Sequence, residues 1–105
     1  MNSPFKKTDT DPLFGDIYEY EDDYYIVTIG IYNDAGGKDL QLIKCKKKCS
    51  ELLQPAIAIS GKDVYLINSS TKIFLEDDQI DRYIGFLKSA KNMFFAVKKF
   101  VREIT

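Results

Sequence analysis

The chain has no histidine and no tryptophan among its 105 residues, and only two cysteines and three prolines. Without histidine it lacks the side chain that most often shuttles protons near neutral pH, activates serine or cysteine nucleophiles, and ligates zinc. Much hydrolytic and metal-assisted chemistry is set aside on that ground, and neither a metal nor a cofactor is expected. No apolar run approaches the roughly 18 residues of a membrane-spanning helix. The stretch MNSPFKKTDTDP carries no apolar core of a secretory leader behind its lysines. The expectation is a cytoplasmic protein with no membrane partner. Fifteen basic residues stand against sixteen acidic ones, so no whole-molecule field draws the chain toward nucleic acid or anionic lipid. What is present is a 45% apolar fraction with seven Tyr and seven Phe, enough for one hydrophobic core.

The cysteines, Cys45 and Cys49, form a C-x3-C pair in CKKKC with no histidine or second pair to complete a four-ligand site. They are read as reduced thiols. The lysines between them could lower a thiol pKa and make it reactive.

Residues 1–12 mix Ser, Pro, Thr, Asp and Lys without periodicity and read as a flexible arm, leaving 13–105 as a single globular domain. Two strands are expected at Asp16 to Tyr20 and Tyr24 to Tyr32, joined by the acidic turn Glu21, Asp22 and Asp23. Gly30 inside the second run predicts a bulge or bend. The loop from Asn33 to Asp39 returns the chain into a third strand, Leu40 to Cys45, followed by a basic loop at Lys46 to Lys48. One helical turn is expected at 49–54. Further strands follow at Ala56 to Ser60, Val64 to Asn68 and Lys72 to Leu75, giving one continuous antiparallel sheet.

Beyond Leu75 the period changes from two to between three and four. Ile80, Tyr83, Ile84, Leu87, Ala90, Phe94, Val97, Val101 and Ile104 make the stripe of an amphipathic helix. Glu76, Asp77, Asp78 and Asp81 at its start, with Lys98, Lys99 and Arg102 at its end, complement the helix dipole. Gly85 and Ser89 weaken its middle, so it is either one long rod or two helices, with a break near Ser89 preferred. Phe86, Met93 and Phe100 add a second flank at seven-residue steps, widening the apolar arc to about half the circumference. Either the helix breaks and both pieces fold back over the sheet, or the three residues are the candidate face for a protein partner, most simply a homodimer.

No catalytic constellation is recognised. The Asp pairs at 22–23 and 77–78 are explained as a turn and a helix start, and the glycines at 36–37 lack the spacing of a phosphate cradle. Lys44, Lys46, Lys47 and Lys48 are the densest positive feature and the candidate for RNA, although no arginine or aromatic is interleaved with them. Tyr18, Tyr20, Tyr24, Tyr25 and Tyr32 gather in the first hairpin, with alternate rings inward and outward.

Gly15-Asp16-Ile17-Tyr18, the long second strand, the late strand at Val64 to Asn68, and Ile80 to Leu87 leading into an apolar terminal helix resemble in layout the MazF/PemK toxin ribonucleases. The resemblance implies a small SH3-like barrel that dimerises and cleaves messenger RNA. The family's Arg-Pro pair before the second strand is replaced by Asp22 to Tyr25, and lysines stand where its second catalytic residue would follow the third strand. No catalytic residue is transferred. The expected fold is therefore mainly β (α+β), a small antiparallel SH3-like barrel or bent sheet of five to six strands with a C-terminal helix or helix pair. A pleckstrin-homology-like sheet capped by a terminal helix is the alternative. The expected function is non-enzymatic binding, with an RNA-cleaving toxin as the alternative.

Overall fold

The computed structural model describes residues 4–34, 36–48, 55–67 and 75–104. It is mainly β, with strands β1 (Lys6–Asp11), β2 (Gly15–Glu21), β3 (Tyr25–Asp34), β4 (Gly37–Lys47), β5 (Ala56–Ser60) and β6 (Asp63–Ile67), then one helix, α1 (Asp77–Ile104). All ladders are antiparallel. The first four strands form a meander in chain order, and β5 and β6 form a separate hairpin. The expected single continuous sheet is thus replaced by two. β4 and β5 lie in contact, and no main-chain ladder joins them among the described residues. The expected turn at 49–54, and Lys72 to Phe74 of the expected last strand, lie outside the described residues; Leu75 is not in a strand.

The flexible arm is corrected. Lys6–Asp11 is an edge strand against β2, although every residue from Lys6 to Thr10 is exposed. Its backbone hydrogen bonds hold it, so no apolar alternation marks it in the sequence. The preceding Phe5 ring is buried and anchors the strand's start. Six strands are present among the described residues, β1 among them.

Carboxylates organise the turns. Asp11 accepts the backbone N–H groups of Leu13 and Phe14 between β1 and β2. Asp22 accepts those of Tyr24 and Tyr25 between β2 and β3, each at 2.7 Å. Asp34 accepts that of Gly36 between β3 and β4. Each supplies side-chain bonds to the turn's N–H groups, and at the second turn the Asp22 N–H also donates to the Tyr25 carbonyl at 3.0 Å. The acidic turn at 22–23 is therefore structural, as its sequence implies.

The inner face of the meander carries Tyr18, Tyr20, Tyr25, Val27, Ile29, Ile31, Leu40 and Leu42 toward α1 and the β5–β6 hairpin. Tyr32 points outward and is exposed, and Tyr24, in the turn before β3, is part-exposed with its ring edge-on to Phe86. At Gly30 the main chain needs space rather than an unusual torsion: a Cβ there would lie 2.9 Å from both the Cβ and the carbonyl oxygen of Phe14. The register shift lies beside it, where Thr28 pairs with Lys44 and Ile29 with Leu42, leaving Ile43 as an extra residue in β4.

Glu76 starts the helix with its N–H accepted by the Gln79 side chain at 2.9 Å, the reciprocal arm of a capping box. The expected break near Ser89 does not occur, and α1 runs unbroken for 28 residues. The Ser89 hydroxyl donates to the Gly85 carbonyl within the helix, so the buried serine is satisfied without interrupting it.

Candidate functional site

The four lysines proposed as a phosphate grip do not form one. Lys46 and Lys47 belong to β4, not to a loop, and the pleat divides them. Lys44 pairs with Thr28 and Lys46 with Ile26, on the outer face. Lys47, opposite Tyr25, shares the other face with Cys45. Across the outer face Glu19 lies on the far side of Thr28, and Glu21 on the far side of Ile26. A column of lysine therefore faces a column of glutamate across a central strand. Lys48 places its Nζ 2.6 Å from Glu21, whose carboxylate holds the ammonium above its ordinary pKa. Acids within the same sheet offset the positive charge before a ligand is considered.

Cys45 is a free thiol, and the lowering of its pKa that the neighbouring lysines could bring does not prevail. Burial pushes its pKa up, and the opposing effects of the Ile57 backbone and Lys47 do not reverse the shift. Cys49 lies outside the described residues.

Phe86, Met93 and Phe100, the candidate partner face, are the helix's inner face: each is at most 4% exposed. Met93 and Phe100, with Ala90, Val97 and Val101, pack into the core shared with the meander and hairpin, and Phe100 stacks on Phe5 and meets Tyr18 at 5.1 Å, while Phe86 lies edge-on to Tyr24 at 6.2 Å. The apolar arc is too wide for one face, as its residue count implies; Ala90, Val97 and Val101 of the expected stripe face the core, whereas its first members are displaced outward by the inward Phe86 and Met93. Ile80, Ile84, Leu87 and Phe95 are left on the outside, between 38% and 53% exposed. Three of these share the first half of α1 with Asp77, Asp78 and Asp81; Phe95 shares the second half with Lys91, Lys98, Lys99 and Arg102.

Two surfaces of different chemistry result. On the first half, Ile80, Ile84 and Leu87 fall at four- and three-residue steps and so align on one side. Tyr65, Leu66 and Ile67 of β6, a strand that touches α1, are exposed as well. On the second half an open groove of about 430 Å³ has Phe95, Lys98, Lys99 and Arg102 as its described lining residues. Neither surface coincides with a site expected from the sequence. The spacing Lys91, Phe95, Lys98, Lys99 and Arg102 is visible there, but the dipole complementarity of the basic end accounts for the cations without reference to the aromatic. Comparison with family models, curated proteins and solved structures finds no match for this chain.

Proposed function

We propose that this protein is a non-enzymatic interaction module that pairs with a second copy of itself through the first half of α1. The observation carrying this reading is the self-complementary order of residues along that exposed side: Asp77, Ile80, Asp81, Ile84, Leu87, Lys88 and Lys91. In an antiparallel two-fold contact centred on Ile84, Ile84 meets its own copy and Ile80 meets Leu87. Asp77 then lies near Lys91 and Asp81 near Lys88 of the other chain. Apolar side chains are covered at the centre and opposite charges meet at the rim, the arrangement an isologous interface requires. The absence of histidine from the chain and the splitting of the lysine cluster both favour binding over catalysis.

Sedimentation velocity tests the pairing. The dimer mass is expected at tens of micromolar, with Ile84→Glu shifting it to the monomer while far-ultraviolet circular dichroism stays unchanged. A monomer throughout that range, or an Ile84→Glu protein that still pairs, overturns the proposal. Long single-stranded RNA incubated with the protein is expected to stay intact; discrete cleavage abolished by Lys46→Ala and Lys47→Ala would replace binding with the nuclease reading.

A further inference from the structure

The Phe95 ring is 53% exposed on a helix whose other phenylalanines turn partly or fully inward. It is held from behind by Phe94, edge to face at 5.4 Å and 62°, and Phe94 itself packs against the core beneath Lys98. The ring is thus an aromatic surface on a rigid support rather than a loop side chain. Lys91 precedes it by one turn, Lys98 and Lys99 follow within one turn, and Arg102 lies two turns on. Positions three, four and seven apart share a helix side, so the cations border the ring. Lys98, Lys99 and Arg102 with Phe95 line the groove described above.

An aromatic plate bordered by cations matches a polymer that offers flat rings and regularly spaced negative charge together. Unpaired bases stack on aromatic side chains with little regard to sequence, while lysine and arginine meet the phosphates. A duplex buries its base faces and would leave Phe95 unused. An anionic membrane needs apolar and basic residues on the same stretch of helix. Here the aliphatic side chains Ile80, Ile84 and Leu87 share their half with Asp77, Asp78 and Asp81 as well as Arg82 and Lys88, and beside Lys98, Lys99 and Arg102 the large exposed apolar side chain is a single ring, Phe95.

We infer that the Phe95, Lys98, Lys99 and Arg102 groove on the second half of α1 binds single-stranded nucleic acid, with a base stacked on Phe95 and phosphates on the flanking cations. The site lies outside the Ile84-centred contact, so pairing leaves one groove open on each copy and the inference does not rest on that contact.

Fluorescence anisotropy of fluorescein-labelled oligo(U) and oligo(dT), each of about twelve nucleotides, tests it beside a labelled duplex of the same length. The single strands are expected to bind more tightly than the duplex. Phe95→Ala is expected to weaken them at least about fivefold, the lower end for removal of one stacked base. Lys98→Ala with Arg102→Ala is expected to flatten the slope of log affinity against log salt by about 1.4, roughly 0.7 for each phosphate no longer neutralised. The control, Lys44→Ala with Lys46→Ala, is expected to change affinity less than about twofold, within the range of a surface change away from the site. A difference between oligo(U) and oligo(dT) reports the sugar's contribution, and either order supports the groove. Absence of binding at low salt, a Phe95→Ala protein that binds like the parent, or a duplex bound as tightly as the single strands overturns the inference. So does Phe95-dependent sedimentation with phosphatidylserine vesicles in place of oligonucleotide binding. Ile84→Glu, measured in parallel, is expected to keep the per-site affinity.

Discussion

Phe5 lies flat on Phe100, ring centroids 4.3 Å apart and planes 17° from parallel, so the start of β1 is fastened to the far end of the terminal helix. Tyr20 and Tyr18 complete the cluster at 5.6 Å from Phe5 and 5.1 Å from Phe100. Phe100→Ala is expected to cost about 3–5 kcal/mol in urea unfolding, the range for a buried phenylalanine. Phe5→Ala should cost less, because an edge strand can relax, yet the two are expected to couple by about 1 kcal/mol in a double-mutant cycle. Additive losses would show that the rings do not act as a pair.

Tyr20 donates its hydroxyl hydrogen to Asp22 at 2.6 Å, and burial, with the neighbouring carboxylate second, pushes its pKa far above the ordinary value. In the unfolded chain a tyrosine ionises near pH 10. Above that pH the unfolded state therefore sheds a proton that the folded state keeps. Below about pH 10 Tyr20 contributes no pH dependence; above it, stability should fall by up to about 1.4 kcal/mol per pH unit. Tyr20→Phe is expected to reduce this slope between about pH 10 and pH 11.5. An unchanged slope would show that the hydroxyl ionises normally in the folded protein.

Cys45 is expected to react with iodoacetamide at pH 7.5 at least about tenfold more slowly than free cysteine, because burial raises its pKa and limits access. In urea the rate should rise to that of an ordinary thiol. Peptide mapping of the alkylated protein separates Cys45 from Cys49. Equal rates at Cys45 in native buffer and in urea would contradict the buried position.

Gly30→Ala is expected to destabilise by about 1–3 kcal/mol through overpacking. The obstruction includes the Phe14 main chain and is not confined to the Ile43 Cδ1 at 3.1 Å. Truncating Ile43 to Ala in the same protein should therefore fail to restore stability. Rescue by Ile43→Ala would place the crowding on the side chain alone.

The first hairpin is legible in the sequence because Ile26, Val27, Ile29, Ile31 and the tyrosines alternate or are β-branched, with Asp22 supplying an unambiguous turn. The helix is legible in extent because its period departs from that of the strands at Leu75. Its orientation is not. With Ile80, Ile84 and Leu87 competing against Phe86, Met93 and Phe100, counting apolar residues cannot say which side meets the sheet. The rings of Phe5, Tyr18 and Tyr24, all distant in sequence, accompany the inward turn of Phe86 and Phe100. β1 escapes notice because a polar edge strand is held by hydrogen bonds to its neighbour rather than by burial. The basic patch at Phe95 is hidden by the opposite effect, a simple dipole explanation sufficient for every cation around it.

The extra residue at Ile43 works as a phase shifter. Strict alternation from Leu42 would swing Lys44 and Lys46 beneath the helix and turn Cys45 out to water; one unpaired residue opposite the Thr28–Ile29 step cancels that half-cycle. Removing Ile43 would cancel it equally well, joining Leu42 directly to Lys44 in a plain ladder. A chain shortened by that one residue should therefore keep its lysines wet, whereas deleting Leu42 along with it would set Lys44 straight after the outward Gln41 and drive the lysines into the oil.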